Sequence, residues 1–241
     1  MATLDGPQRD PKNGGNADSF VILLHGISGC GDDMMFLADG LADALPGTKF
    51  YAPNAPHPYD FANDPKSNRG ADFDPTGHYQ WYNRFSERTR QQGLYEIAVP
   101  LNAFIAECAK ENGLDESRGA VIGHSQGCMT GLNVVPRRSS PLGALIVHSG
   151  YLFSPDSLPQ RKTQRERFFA EVKSHTPTCG IHGTEDSVQA WQMMQEAIAT
   201  YDELGIPAEF HLIGGLGHAI GPRSIAIMSS FLQEHLPPIK S

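Results

Sequence analysis

The chain has 241 residues, a net charge of −8 at pH 7 and 39% hydrophobic residues. That is enough apolar side chain for one large domain with a real core, and too little length for two of ordinary size. The acidic balance argues against nonspecific binding to nucleic acid or to an anionic membrane surface. No apolar run reaches the length that a membrane-spanning helix needs, so no stable membrane insertion is expected.

Residues 1–18 are polar and rich in Gly, Asn and Asp, which predicts a flexible tail ahead of one domain over residues 19–241. They lack the apolar core of a secretory leader. Cys30, Cys108, Cys128 and Cys179 show no paired spacing and read as free thiols of a reducing compartment, so the expected location is cytoplasmic. Ser19 to Leu24 reads as a strand with no polar alternation, as burial on both faces of a parallel sheet requires. Asp32-Asp33 opens a helix with Met34, Leu37, Leu41 and Leu45 at helical spacing, the acids matching its N-terminal dipole. Pro46-Gly47 ends it, and a strand from Lys49 to Ala52 is closed by Pro53-Asn54-Ala55-Pro56.

His57 to Gln80 holds much Asp, Asn, Gly and Pro and little apolar pattern, which predicts a long functional or mobile loop. Trp81-Tyr82 re-enters the fold. Between Glu87 and Asn112 the positions Leu94, Ile97, Leu101, Ile105 and Cys108 form a helical stripe, with a kink or break expected near Val99 because Pro100 lies inside it. Gly113 caps its end. Ala120 to Ile122 is a short apolar strand, and Gln126 to Val135 a helix that Pro136 stops. Leu142 to His148 is a strand. Tyr151 to His175 is irregular, with a short helix around Arg165 to Val172. Pro177 to His182 and Ala208 to Ile213 are further strands, and Val188 to Leu204 and Pro222 to Leu236 further helices. Strands alternating with helices predict an α/β fold with a mainly parallel sheet, its site at the carboxyl ends of the strands.

The strand Ala120 to Ile122 runs into Gly123-His124-Ser125-Gln126-Gly127 and then a helix. That G-x-S-x-G setting forces a tight turn that lifts a serine hydroxyl above the sheet edge. A serine hydroxyl is a weak nucleophile at neutral pH and needs an imidazole to take its proton and a carboxylate to orient that imidazole. Two later strand ends offer them: Asp186, after His182-Gly183, with Glu185 beside it as the competing acid, and His218 in the Gly-rich loop after Ile213. Their order, Ser then Asp then His, is the one expected of α/β-hydrolases. His211 and His235 fall in a strand and the last helix. His25, His124 and His182 stand beside glycines and read as satisfied buried positions near the site rather than ligands. Histidine spacings typical of zinc sites are absent, so no metal is expected. Upstream, Leu24-His25-Gly26-Ile27 brings backbone close to the reacting carbon, which makes the Ile27 and Gln126 N–H groups the candidate oxyanion donors.

These residues, together with Pro53-Asn54-Ala55-Pro56, Trp81-Tyr82, His148-Ser149-Gly150 and Gly217-His218, give a chain that resembles the phospholipase/carboxylesterase family of α/β-hydrolases, which includes the acyl-protein thioesterases. The resemblance runs from about Phe20 to the C-terminus. It implies an α/β-hydrolase catalytic domain with no large separate cap, hydrolysing carboxylic esters or thioesters through an acyl-serine, without metal or organic cofactor. The chain departs from the family at Asn83, where Asp is common, in the length of the His57 to Gln80 loop, and at Gln189, where Val-Pro is common. The expected partner is a small-molecule ester of short to medium acyl chain, with a homo-oligomer compatible. An acyl-protein thioesterase or lysophospholipase is the alternative. A non-catalytic receptor for small esters is a third reading, against which the intact triad argues. Trp81, Tyr82 and Met129 are candidate substrate contacts; each also fits plain packing.

Overall fold

A computed structural model describes residues 4–64, 72–153 and 161–239. Its strands are β1 (Gln8–Arg9), β2 (Ser19–Leu24), β3 (Thr48–Tyr51), β4 (His57–Pro58), β5 (Tyr79–Gln80), β6 (Gly119–His124), β7 (Ala144–His148), β8 (Thr178–Gly183) and β9 (Ala208–Ile213). Seven of them form one sheet in the order β1-β3-β2-β6-β7-β8-β9, in which only β1 is antiparallel to its neighbour. The α-helices are α1 (Met35–Leu41), α2 (Glu87–Glu96), α3 (Ala98–Glu111), α4 (Gln126–Val134), α5 (Arg161–Glu171), α6 (Trp191–Glu203) and α7 (Pro222–His235).

Every residue of β2 is buried because both faces of the sheet are covered. Phe20, Ile22 and Leu24 pack with Leu94, Leu101, Ile105, Leu132 and Met194 of α2, α3, α4 and α6. Val21 and Leu23 point the other way, against Leu37 and Leu41 of α1 and Met228 and Leu232 of α7. Each such side chain contributes about 1.5–3 kcal/mol on burial. The chain leaves β2 for β3 on one side and later returns to place β6 on the other, so a crevice opens at the carboxyl ends of β2 and β6.

Three sequence expectations change, and one on a helix break is met. Residues 1–18 are not a free tail over their described part: β1 pairs with β3, Leu4 is buried, and Asp5 and Pro7 accept backbone bonds from Asn54 and Ala52. A two-residue edge strand is too short to show a period in the sequence. The break expected near Val99 is found two residues earlier, where α2 and α3 join at Ile97. Starting α3 at Ala98 puts Pro100 in a first turn, where a missing N–H has no intrahelical partner to lose. The His57 to Gln80 loop has a built base, since β4 pairs with β5 and Tyr79 exchanges backbone bonds with Ser28 and Gly29. Above it Arg84 binds the buried Asp64 carboxylate through Nε and Nη2, and Phe73 packs against Tyr59, Phe61 and His78; residues 65–71 lie outside the described part. In the Tyr151 to His175 region, α5 begins at Arg161, earlier than expected, and residues 154–160 lie outside the described part. Among the described residues no helix is long and apolar enough to cross a membrane.

Candidate active site

Ser125 joins β6 to α4 with φ 52° and ψ −112°, a backbone conformation that is costly for a residue with a side chain and persists only where the surroundings enforce it. They do so here. The Ser125 N–H donates to the His148 carbonyl at 3.0 Å, and the Met129 N–H donates to the Ser125 carbonyl at 3.1 Å. A Cβ on Gly123 would lie 2.4 Å from the Gly127 carbonyl oxygen, and one on Gly127 would lie 2.2 Å from that of Leu24. Only two glycines let strand, turn and helix approach this closely.

The acid and the histidine come from the next strand ends. Asp186, in the loop after β8, has a fully buried side chain. Its Oδ1 accepts the N–H groups of Val188 (2.8 Å) and Gln189 (2.9 Å), and its Oδ2 accepts His218 Nδ1–H at 2.8 Å. Burial alone would raise this carboxyl, but the Gln189 amide, the His218 imidazole and the Val188 amide outweigh it and hold it below the ordinary carboxylate range. The loop bearing His218 sits directly on β8: a Cβ on Gly183 would meet the Leu216 carbonyl oxygen at 2.0 Å. Because Nδ1 carries the hydrogen given to Asp186, Nε2 is the basic nitrogen of His218. His218 and Ser125 line one cleft of about 810 Å³, together with Ile27 and Gln126.

Among the described residues neither the Ile27 N–H nor the Gln126 N–H has an acceptor. Gln126 is the first residue of α4, whose opening N–H groups have no partner within the helix. The loop carrying Ile27 lies against the serine, since a Cβ on Gly26 would be 3.2 Å from Ser125 Cβ. His25 holds that loop: its Nδ1–H donates to the Gly26 carbonyl (2.7 Å) and its Nε2 accepts the Ala55 N–H (3.0 Å). Burial lowers the His25 pKa to about 4, so the ring is neutral.

Two expected substrate contacts, Tyr82 and Met129, line the cleft, with the Tyr82 hydroxyl donating to Met129 Sδ at 3.2 Å. Trp81 does not. Its ring is fully buried beside His25, because its indole N–H is drawn to the His25 carbonyl beneath the loop. The described residues of the His57 to Gln80 loop do not line the cleft either, whereas Tyr151 of the second irregular region does. Of the two competing acids, Asp186 reaches His218 while Glu185 is exposed. His211 pairs with Glu209, and His235 packs on Phe231. Cys179, Glu209 and His211 are the one group among the described residues with metal-ligand atoms close together. Burial first, and then Glu209, push the Cys179 thiol up, which keeps it protonated; none of the three lines the cleft.

Sequence reasoning named four further residues around the site without the bonds they make. The Gln126 side chain accepts the Trp81 N–H at 2.9 Å and donates to the Tyr82 carbonyl at 2.7 Å. Gln189 binds Asp186 through its N–H and also lines the cleft. His124 lines the cleft with its ring 5.0 Å from that of His218, and burial followed by the His218 charge lowers it to about 4. His182 donates to Asp186. The sequence signal for the last two was their place beside the elbow glycine and before the acid.

A seven-stranded α/β sheet with a strained serine elbow, an acid and a histidine at successive strand ends defines an α/β-hydrolase. The chain belongs to the phospholipase/carboxylesterase family, whose model matches residues 12–236. It is similar to acyl-protein thioesterase 1 of Candida albicans, at 24% identity over 93% of this chain and 95% of that protein. It is also similar to carboxylesterase SOBER1 of Arabidopsis thaliana, at 25% identity over 91% and 92%. Among solved structures, esterase PE8 superposes with a TM-score of 0.83 at 30% identity, covering 98% of this chain and 100% of that one.

Proposed function

We propose that this chain hydrolyses carboxylic esters of short to medium acyl chain through an acyl-Ser125 intermediate. The observation that carries the reading is the strained Ser125, which shares a cleft with a His218 whose Nδ1–H is held by a buried, ionised Asp186. In this mechanism His218 Nε2 takes the Ser125 hydroxyl proton as Oγ bonds to the ester carbon. Asp186 stabilises the imidazolium that forms, and its lowered pKa keeps it ionised to do so. The carbonyl oxygen becomes an oxyanion facing the free N–H groups of Ile27 and Gln126, and one such donor is typically worth about 2.7–4 kcal/mol in the transition state. As the tetrahedral centre collapses, the C–O bond to the alcohol breaks and His218 returns the proton to the leaving oxygen. Water, deprotonated by the same nitrogen, then releases the acid and restores Ser125.

Two exposed apolar side chains at the cleft, Phe36 and Val188, favour a second reading in which longer acyl chains or thioesters are cleaved. Hydrolysis of p-nitrophenyl esters from acetyl to palmitoyl, beside matched acyl thioesters, decides between the two. Four free thiols support a reducing, cytoplasmic location.

The central test is covalent labelling. A fluorophosphonate should modify the protein, with the adduct mapped to Ser125, and Ser125→Ala should abolish both labelling and turnover while folding normally. An adduct on Ser28 or Ser149 instead would overturn the assignment.

A further inference from the structure

We infer that His182 is the positioning residue that fixes the Asp186 carboxylate for His218, a role that rests on reading those two as acid and base. His182 is the penultimate residue of β8 and is fully buried. Its Nε2 lies 3.0 Å from Asp186 Oδ2 and 3.0 Å from the Gln189 carbonyl oxygen. Both neighbours only accept, so Nε2 carries the hydrogen and shares it between them. Nδ1 has no partner among the described residues, as fits a neutral ring with its hydrogen on the other nitrogen. Burial lowers the His182 pKa, which favours that neutral form.

The need for such a residue follows from where the acid sits. Asp186 is on a loop whose neighbours Thr184, Glu185, Ser187 and Val188 are all exposed. The Val188 and Gln189 amides that hold Oδ1 belong to that same loop, so they fix the carboxylate relative to the loop and not to the sheet. At Oδ2 the two donors are His218, itself on a loop and partly exposed, and His182. His182 is the donor that stands on a strand, and rigid elements hold a reacting geometry better than loops do. It also binds the Gln189 carbonyl while the Gln189 N–H binds Asp186, which closes a ring from β8 through the loop to the acid and back. His182 does not line the cleft, so its effect passes through Asp186 and not through substrate contact.

The test uses p-nitrophenyl acetate hydrolysis by the full chain with His182→Leu, His182→Asn and His182→Gln, beside Asp186→Asn. Leucine removes the donor, asparagine is too short to carry it to Oδ2, and glutamine places an amide N–H near the imidazole Nε2 position. His182→Leu and His182→Asn should lower kcat by about 10²-fold with KM unchanged, the size of loss that small misplacements of reacting groups produce. His182→Gln should recover most of it. A folded His182→Leu with the parent kcat would overturn the inference, as would Leu and Gln variants equally impaired in proportion to their loss of melting temperature. If Asp186→Asn also kept full kcat, the triad reading itself would have failed. Should the Leu and Asn variants not fold, NMR of the unsubstituted protein with ¹⁵N-labelled histidine decides. The His182 proton should sit on Nε2, exchange slowly and shift in Asp186→Asn; a proton on Nδ1 refutes the role.

Discussion

The indole N–H of Trp81 donates to the carbonyl oxygen of His25 at 2.8 Å, and the Gly127 N–H reaches the same oxygen at 3.1 Å. One carbonyl thus ties together the loop after β2, the chain re-entering at Trp81 and the first turn of α4. Trp81→Phe keeps most of the buried ring but removes one of the two donors, a change worth about 0.5–1.5 kcal/mol. The loop carrying Ile27 should loosen, so kcat should fall by the same factor for acetyl and longer esters. Trp81→Ala should cost about 3–5 kcal/mol of stability. Melting temperatures and an ester-length series check both; a length preference altered by Trp81→Phe would return the ring to the substrate site.

Gly127 and Gly131 both lie on α4 but should respond differently to alanine. At Gly127 the new Cβ would sit 2.2 Å from the Leu24 carbonyl oxygen, and backbone there is held by the sheet. Overpacking of this kind costs about 1–3 kcal/mol or more, and the strain falls on the elbow. Gly127→Ala should therefore melt earlier and label slowly at Ser125. At Gly131 the nearest atom is Leu145 Cδ1 at 3.1 Å, the movable end of a side chain, and alanine gains about 1 kcal/mol of helix propensity. Gly131→Ala should be close to neutral in both assays. A Gly127→Ala variant with the parent melting temperature and labelling rate would show that the elbow tolerates a Cβ.

The contrast shows which parts of the molecule were legible in the sequence. The elbow was, because strand, glycine, serine, glycine and helix are contiguous and each restricts the next. Asp186 and His218 were, because each closes an apolar strand. Trp81 was not: it ends a polar loop, and its burial depends on a carbonyl at residue 25. The β4 and β5 strands are two residues each and carry no period. His182 was read as a buried position near the site without a role, since its bond to Asp186 depends on how the loop folds back over β8.

The N-terminal segment leads to a third prediction. Asn54 and Ala52 give their N–H groups to Asp5 and Pro7, and Asn54 Oδ1 in turn accepts the Gly31 N–H. Ala55, next along, binds His25. Removing residues 1–18 would uncover the β3 edge, expose the surface under Leu4 and free the loop that braces His25. The truncated protein should melt at lower temperature and self-associate through the bare edge on size-exclusion chromatography. An unchanged melting temperature and elution volume would mean that β1 contributes nothing to the fold.

Acid should weaken the fold through its buried histidines. Burial lowers His25 and His124 to about 4 and His148 to about 2, from an ordinary value of 6.5. The folded chain therefore keeps these rings neutral while the unfolded chain protonates them. As pH falls below 6.5 the unfolded state binds more protons, and stability drops by about 1.4 kcal/mol per pH unit for each such histidine until its folded pKa is reached. His148 has the widest window, from 6.5 to about 2. Asp186 adds a loss at lower pH, because a carboxyl depressed in the fold stabilises above its unfolded value of 3.8 and loses that contribution as pH falls through its folded one. Urea unfolding between pH 7.5 and 4.5 should show the histidine part as a steady decline. Replacing His148 by Gln removes one titrating ring and keeps an amide near the Ser224 hydroxyl, which His148 Nε2 meets at 3.0 Å. The decline below pH 6.5 should then be shallower by about 1.4 kcal/mol per pH unit. A variant with the parent slope would show that His148 is protonated in the fold or does not titrate on unfolding, and flat stability from pH 6.5 to 4.5 would remove all three histidines from the account.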